Sequence, residues 1–141
     1  MGSMSNYLES GVFQHFLRTG SISKPSTLAI ALCSGVLDDT NTGVNLPEIP
    51  NASNYSRIDL GGPADATWDY QGLTGATQNT AAITSSVASA DWPTLSGIAI
   101  CDSATYGAGN VLFWGYLDRH KTVQSGDSFT FRIGNLDITI D

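Results

Sequence analysis

Hydrophobic residues recur at helical spacing in one stretch of the chain. In NYLESGVFQHFLRTG, Leu8, Val12 and Phe16 stand four positions apart, flanked by Phe13 and Leu17. That spacing gathers them on one broad face of an amphipathic helix, predicted over about residues 6–19. Asn6 with Glu9 three positions on has the form of a capping box. Gly20 sits where a left-handed C-terminal cap is favoured, and Gly11 weakens the helix without breaking it.

Beyond Lys24-Pro25 the period shortens. TLAIALC (27–33) alternates large and small apolar residues, the pattern of a strand packed on both faces. Residues 34–54 hold Asp38, Asp39, Asn41, Gly43, Pro47, Pro50 and Asn51 with no sustained period, and read as loop. YSRIDL (55–60) reads as a strand, and 61–80 as a polar loop broken by Trp68 and Tyr70. AAITSS (81–86), TLSGIAIC (94–101) and NVLFWGYLD (110–118) follow as strands. At the end, Phe129, Phe131 and Ile133 alternate on odd positions, while Leu136, Ile138 and Ile140 alternate on even ones. A tight hairpin at Gly134-Asn135 accounts for the slip of phase, with a bulge as the alternative. Seven or so short strands between turns predict a mainly β chain. The expected fold is an antiparallel β-sandwich, jelly-roll-like, with the N-terminal helix packed on it or on a neighbour.

Composition supports this. Charged residues are 13% of the chain, against about 25% in an ordinary globular protein. Gly, Ser, Thr and Asn fill the gap, which suits short strands joined by many turns rather than a helical bundle. A chain of 141 residues is long enough to bury a core without disulfide or metal staples. Met1-Gly2-Ser3 ahead of Met4 reads as a remnant of cloning, leaving 4–141 as a single domain. The net charge of −7 argues against a nucleic-acid partner, because too few cations are present to neutralise phosphates. No apolar run is long enough to span a bilayer, and no secretory signal is present. Cys33 and Cys101 each close an apolar run and read as reduced core side chains, although one bridge between adjacent strands stays open.

Asp118-Arg119-His120-Lys121 concentrates charge in a charge-poor chain, but nothing places a nucleophile or an orienting group beside His120. It reads as the solvated end of a strand, and no catalytic residue is assigned. With His15 and His120 alone, no His-x-His or His-x-x-x-His spacing exists, and no metal or cofactor is expected. Asp38-Asp39-Thr40-Asn41 offers oxygen ligands but lacks the full calcium-loop pattern and its closing Glu. Eleven Asp and two Glu give many arbitrary pairs, so no glycosidase dyad can be singled out. Trp68 and Tyr70, in a polar loop, are the aromatic pair expected to be exposed, for a partner contact or for stacking on a sugar.

Four segments in order carry a resemblance: NYLESGVFQHFLRTG, PSTLAIALCSGVLDDTNTG, SGIAICDSATYGAGNVLFWGYLDRHKTVQSGDSFTF and GNLDITID, with YSRIDL between them. Together they resemble a family of small bacteriophage virion proteins, often labelled tail-fibre-like. The resemblance implies a non-enzymatic structural role in a virion assembled in the bacterial cytoplasm, with other virion proteins as partners. The chain shows no fibrous repeat or shaft, so its size suits a trimeric cement or decoration protein on the major capsid protein. A tail-fibre or baseplate component is the runner-up, and a carbohydrate-binding module for host recognition the third reading. On the first two, Tyr7, Leu8, Val12, Phe13 and Phe16 bury against the sandwich or a neighbour, while loops 34–54 and 61–80 meet other virion proteins.

Overall fold

A computed structural model describes residues 3–70 and 74–140. A short strand β1 (Ser3–Met4) leads into helix α1 (Asn6–Leu17) and then β2 (Leu28–Cys33). There follow β3 (Ile58–Gly61), β4 (Trp68–Tyr70), β5 (Ala76–Asn79) and β6 (Ile83–Thr84). The chain ends with β7 (Leu95–Cys101), β8 (Val111–Lys121), β9 (Thr130–Phe131) and β10 (Asp137–Thr139). These strands make an antiparallel five-stranded sheet in the order β1-β8-β7-β2-β3, a three-stranded sheet β10-β5-β4 and a β6-β9 pair. The fold is mainly β and sandwich-like, with one N-terminal helix, as the sequence pattern predicts.

The alternation in β2 explains the layers. Ile30 and Leu32 pair with Ile100 and Ile98 of β7, and all four join the main core beneath the two small sheets. Ile83, Phe131, Leu136 and Ile138 meet them from the other side. Ala31, Ala99, Cys101 and Val111 form a second cluster, against which Leu46 of the 34–54 loop packs. Large residues thus face the second sheet layer and small ones face a covering loop. Each buried Ile or Leu contributes roughly 1.5–3 kcal/mol, so the large face carries most of the stability.

Two sequence expectations for the helix ends change. The helix is capped by Ser5 rather than Asn6: its hydroxyl accepts from the Leu8 N–H and donates to the Val111 carbonyl. At its other end Arg18 is extended, and no left-handed cap forms there. Gly11 has a packing reason, since a Cβ there would lie 2.4 Å from Ile22 Cδ1.

Residues 61–80 are not all loop. The polar run Ala76-Thr77-Gln78-Asn79 is the central strand of the three-stranded sheet, a role that shows no hydrophobic alternation. The last two strands do not pair with each other. Ile83 pairs with Phe131 and Thr77 with Ile138, so the chain changes sheets at 132–135. Buried Asn79 directs this crossing. Its amide donates to the carbonyls of Ala81 (2.8 Å) and Arg132 (3.0 Å), while its Oδ1 accepts from the Leu136 N–H (3.0 Å).

Candidate functional site

Arg57, read in sequence as part of a strand, is a buried charged residue with partners in the 34–54 and 102–110 loops. It precedes β3 and is enclosed, its side chain 0% exposed and that of Glu48 3%. Nε donates to both Glu48 oxygens (3.0 and 3.2 Å) and Nη2 to Oε2 (3.0 Å). The remaining N–H groups reach the carbonyls of Ser103 (2.9 Å), Ala108 (2.8 Å) and Gly43 (2.9 Å). Tyr55 donates to Glu48 Oε1 (2.6 Å) and accepts from the Leu32 N–H (3.0 Å). The guanidinium therefore bolts the 34–54 loop to the 102–110 loop across β2. Gly43 permits the close approach, because a Cβ there would lie 2.0 Å from the Ala108 oxygen.

Burial disfavours the Arg57 charge, but hydrogen bonds to Glu48 outweigh it and hold the guanidinium above its usual value. Burial likewise pushes up the Tyr55 hydroxyl and the Cys33 thiol, with Glu48 adding to both, and pushes Cys101 up to about 12. Both cysteines are free and buried. Thiols raised this far are inert as nucleophiles at neutral pH. Among the described residues, no buried side-chain polar atom lacks a hydrogen-bond partner. This cluster is structural, and its chemistry is finished within the chain.

Asp118-Arg119-His120-Lys121 belongs to β8, which continues three residues past the predicted end. All four residues are exposed. The ladder to β7 shifts here, with Leu95 opposite Lys121 but Gly97 opposite Tyr116, so β8 bows away from its neighbour. Its other edge is paired with β1 at Phe113 and Trp114. Charge and irregularity at a strand edge are devices that discourage unwanted pairing. This stretch guards an edge. It also borders a cleft whose walls include Arg119, Lys121 and Arg132 together with Asp118 and Asp137.

In the acidic loop, Asp38 accepts from the Thr40 N–H and hydroxyl, which lower its pKa, and Asp39 accepts from the Trp114 indole. Among the described residues, no group of three His, Cys, Asp or Glu side chains could hold a metal ion. No helix there is long and apolar enough to cross a membrane.

The helix is the largest departure from a self-contained fold. None of its residues is buried. Leu8 and Gly11 are half-buried, whereas Tyr7, Val12, Phe13 and Phe16 are exposed, Phe13 by 59% and Phe16 by 74%. Leu17 adds to the same exposed end. The apolar stripe read from the sequence therefore exists and faces outward.

Trp68 is not an exposed loop aromatic. It sits in β4, half-buried, packed against the main core and lining an apolar cavity of about 400 Å³. Leu28, Ile100, Leu112, Phe113 and Ile138 share the walls. The backbone of Tyr70 pairs with Thr77, and the expectation for its side chain lies outside the described residues. Trp68 thus faces the cavity and core, while Phe13 and Phe16 face solvent. Sequence periodicity could find the stripe, but the cavity depends on strands with no apolar period.

With this geometry in place, a family model described as "Podophage GP4 fiber I protein gp80" matches residues 3–139. The chain belongs to this family. The family is one of phage virion structural proteins, tail-fibre-like, and the β-rich fold with its covered polar hub suits such a scaffold. Among curated proteins, none matches the chain.

Proposed function

We propose that this protein is a non-enzymatic structural subunit of a phage fibre, which docks on neighbouring virion proteins through the outer face of α1. The observation that carries the reading is the exposed run of Val12, Phe13, Phe16 and Leu17 on a helix none of whose residues is fully buried in its own chain. Apolar surface gathered in this way marks a contact surface. Tyr7 and Leu8 extend that surface toward the root of the helix, and a homo-oligomer, trimeric in the sequence reading, is the expected assembly unit. The family description favours the fibre reading over a capsid cement protein.

The test is to purify virions and separate tails from emptied heads, then follow this chain by peptide mass spectrometry. Recovery with tails at constant stoichiometry is the expected result. Recovery with head shells bearing the major capsid protein would move the assignment to cement. Absence from washed particles would refute a structural role.

A further inference from the structure

The chain carries two unmatched apolar features, a knob and a hole. We infer that the cavity between the five-stranded sheet and the β10-β5-β4 sheet is the receptor for the α1 helix of a second copy of this chain. The inference rests on the docking role of α1 proposed above and names its partner.

The cavity has the chemistry of a receptor for an apolar side chain. Its walls are Leu28, Trp68, Ile100, Leu112, Phe113 and Ile138, with Ala76 and Thr77 of β5 at the side. A volume of about 400 Å³ exceeds what small packing defects leave in a domain interior and lies within the range of binding pockets, about 300–1,000 Å³. An apolar hollow of that size gains nothing from water, which would find few polar partners in it. An occupant must therefore be apolar and large. The exposed end of α1 supplies that chemistry in Phe13, Phe16 and Leu17.

The helix and the cavity share a wall. Met4 pairs with Phe113, the Ser5 N–H donates to the Leu112 carbonyl (2.9 Å), and the Ser5 hydroxyl donates to that of Val111. The root of α1 is thus fixed to the strand that lines the cavity. Phe16 lies ten residues further on, about 15 Å along the helix axis, and projects into solvent instead of back into its own chain. A rotated second copy can present its Phe16 end where the first cannot. Reciprocal insertion about a two-fold axis gives a dimer, and head-to-tail insertion closing after three copies gives the ring expected from the sequence. In both, the same knob fills the same hole.

The experiment uses the full chain. Light scattering over a range of concentrations should give a mass two or three times the 14.9 kDa of one chain. Phe16→Ser should weaken association at least tenfold while leaving thermal unfolding of the monomer in place, because the residue is exposed. Ala76→Leu should weaken association to a similar extent by filling the receptor from within, without lowering the midpoint. A double variant, Phe16→Cys with Ala76→Cys, should form a disulfide between copies under mild oxidation, since the native thiols are buried. A monomer at several hundred micromolar would overturn the inference, as would an oligomer indifferent to both single variants or the absence of the cross-link. If the chain is monomeric but virion attachment is still lost in Phe16→Ser, the helix docks on a different virion protein. In that case the structural role survives and the self-association does not.

Discussion

Replacing Arg57 with Met tests what holds the loop layer on the sheet. The substitution keeps an unbranched apolar stem but removes every donor of the guanidinium. Glu48, with its side chain 3% exposed, would lose its counter-ion. The carbonyls of Gly43, Ser103 and Ala108 would lose a charged donor. Removing one partner of a buried ion pair costs about 3–5 kcal/mol. The three carbonyls belong to surface loops where water can replace part of the lost bonding, so about 4 kcal/mol is the working figure. Against a typical domain stability of roughly 5–15 kcal/mol, this removes a large share. Urea unfolding followed by tryptophan fluorescence reads it directly. With a slope of about 1.5 kcal/mol per molar, the midpoint should fall by about 2–3 M. Adding Glu48→Leu should recover part of the loss, because it removes the stranded carboxyl group. A midpoint shift below about 0.5 M for Arg57→Met alone would refute the argument and place the strength of that layer in Leu46 and its apolar neighbours.

Further outcomes follow from the same geometry. Asn79→Ala should cost about 3 kcal/mol in denaturant unfolding, since it takes the side-chain partner from the Leu136 N–H and the Ala81 carbonyl and leaves the Arg132 carbonyl with the Asn135 N–H alone. Ile30→Ala, fully buried, should cost about 2–5 kcal/mol, whereas Phe16→Ser should change monomer stability by less than about 0.5 kcal/mol. Stability should fall as pH rises above about 9. The folded state keeps Cys33, Cys101 and Tyr55 protonated beyond their ordinary values of 9.0, 9.0 and 10.0, so it binds more protons than the unfolded chain. Their contribution is complete below those values and is lost upward through the raised ones. Urea midpoints at pH 7, 9 and 10.5 check the sign, and an unchanged or rising midpoint would contradict it. Gly43→Ala should lower the thermal midpoint by driving the two bolted loops apart.

What the sequence disclosed depended on periodicity. The alternation of TLAIALC foretold a strand covered on both faces, and the four-residue spacing in α1 foretold its stripe. Periodicity says which residues share a face, however, and not whether that face turns in or out, so the exposure of Phe13 and Phe16 needed the structure. Arg57 was hidden for a different reason. Its partners lie at 43, 48, 103 and 108, and only folding brings those positions together. A faint signal was present, since Glu48 is one of only two glutamates and sits between Pro47 and Pro50 in a loop otherwise supplied with aspartates. The closing strands misled because their one-residue phase slip is equally the mark of a hairpin and of a chain leaving one sheet for another. Asn79, far earlier in the chain, selects the second.

The division of the last strands between two sheets governs the order in which this protein can be made. β9 closes on β6 and β10 on β5, while the N-terminal β1 waits for β8. During synthesis, neither small sheet has its final strand until residues 130–139 have left the ribosome. The main core consequently stays open on one side until those residues have emerged. Such late, long-range closure favours slow folding in a single cooperative step. Residues 130–139 act as a clasp, and a chain released before them would present Ile30, Ile98 and Ile100 to water.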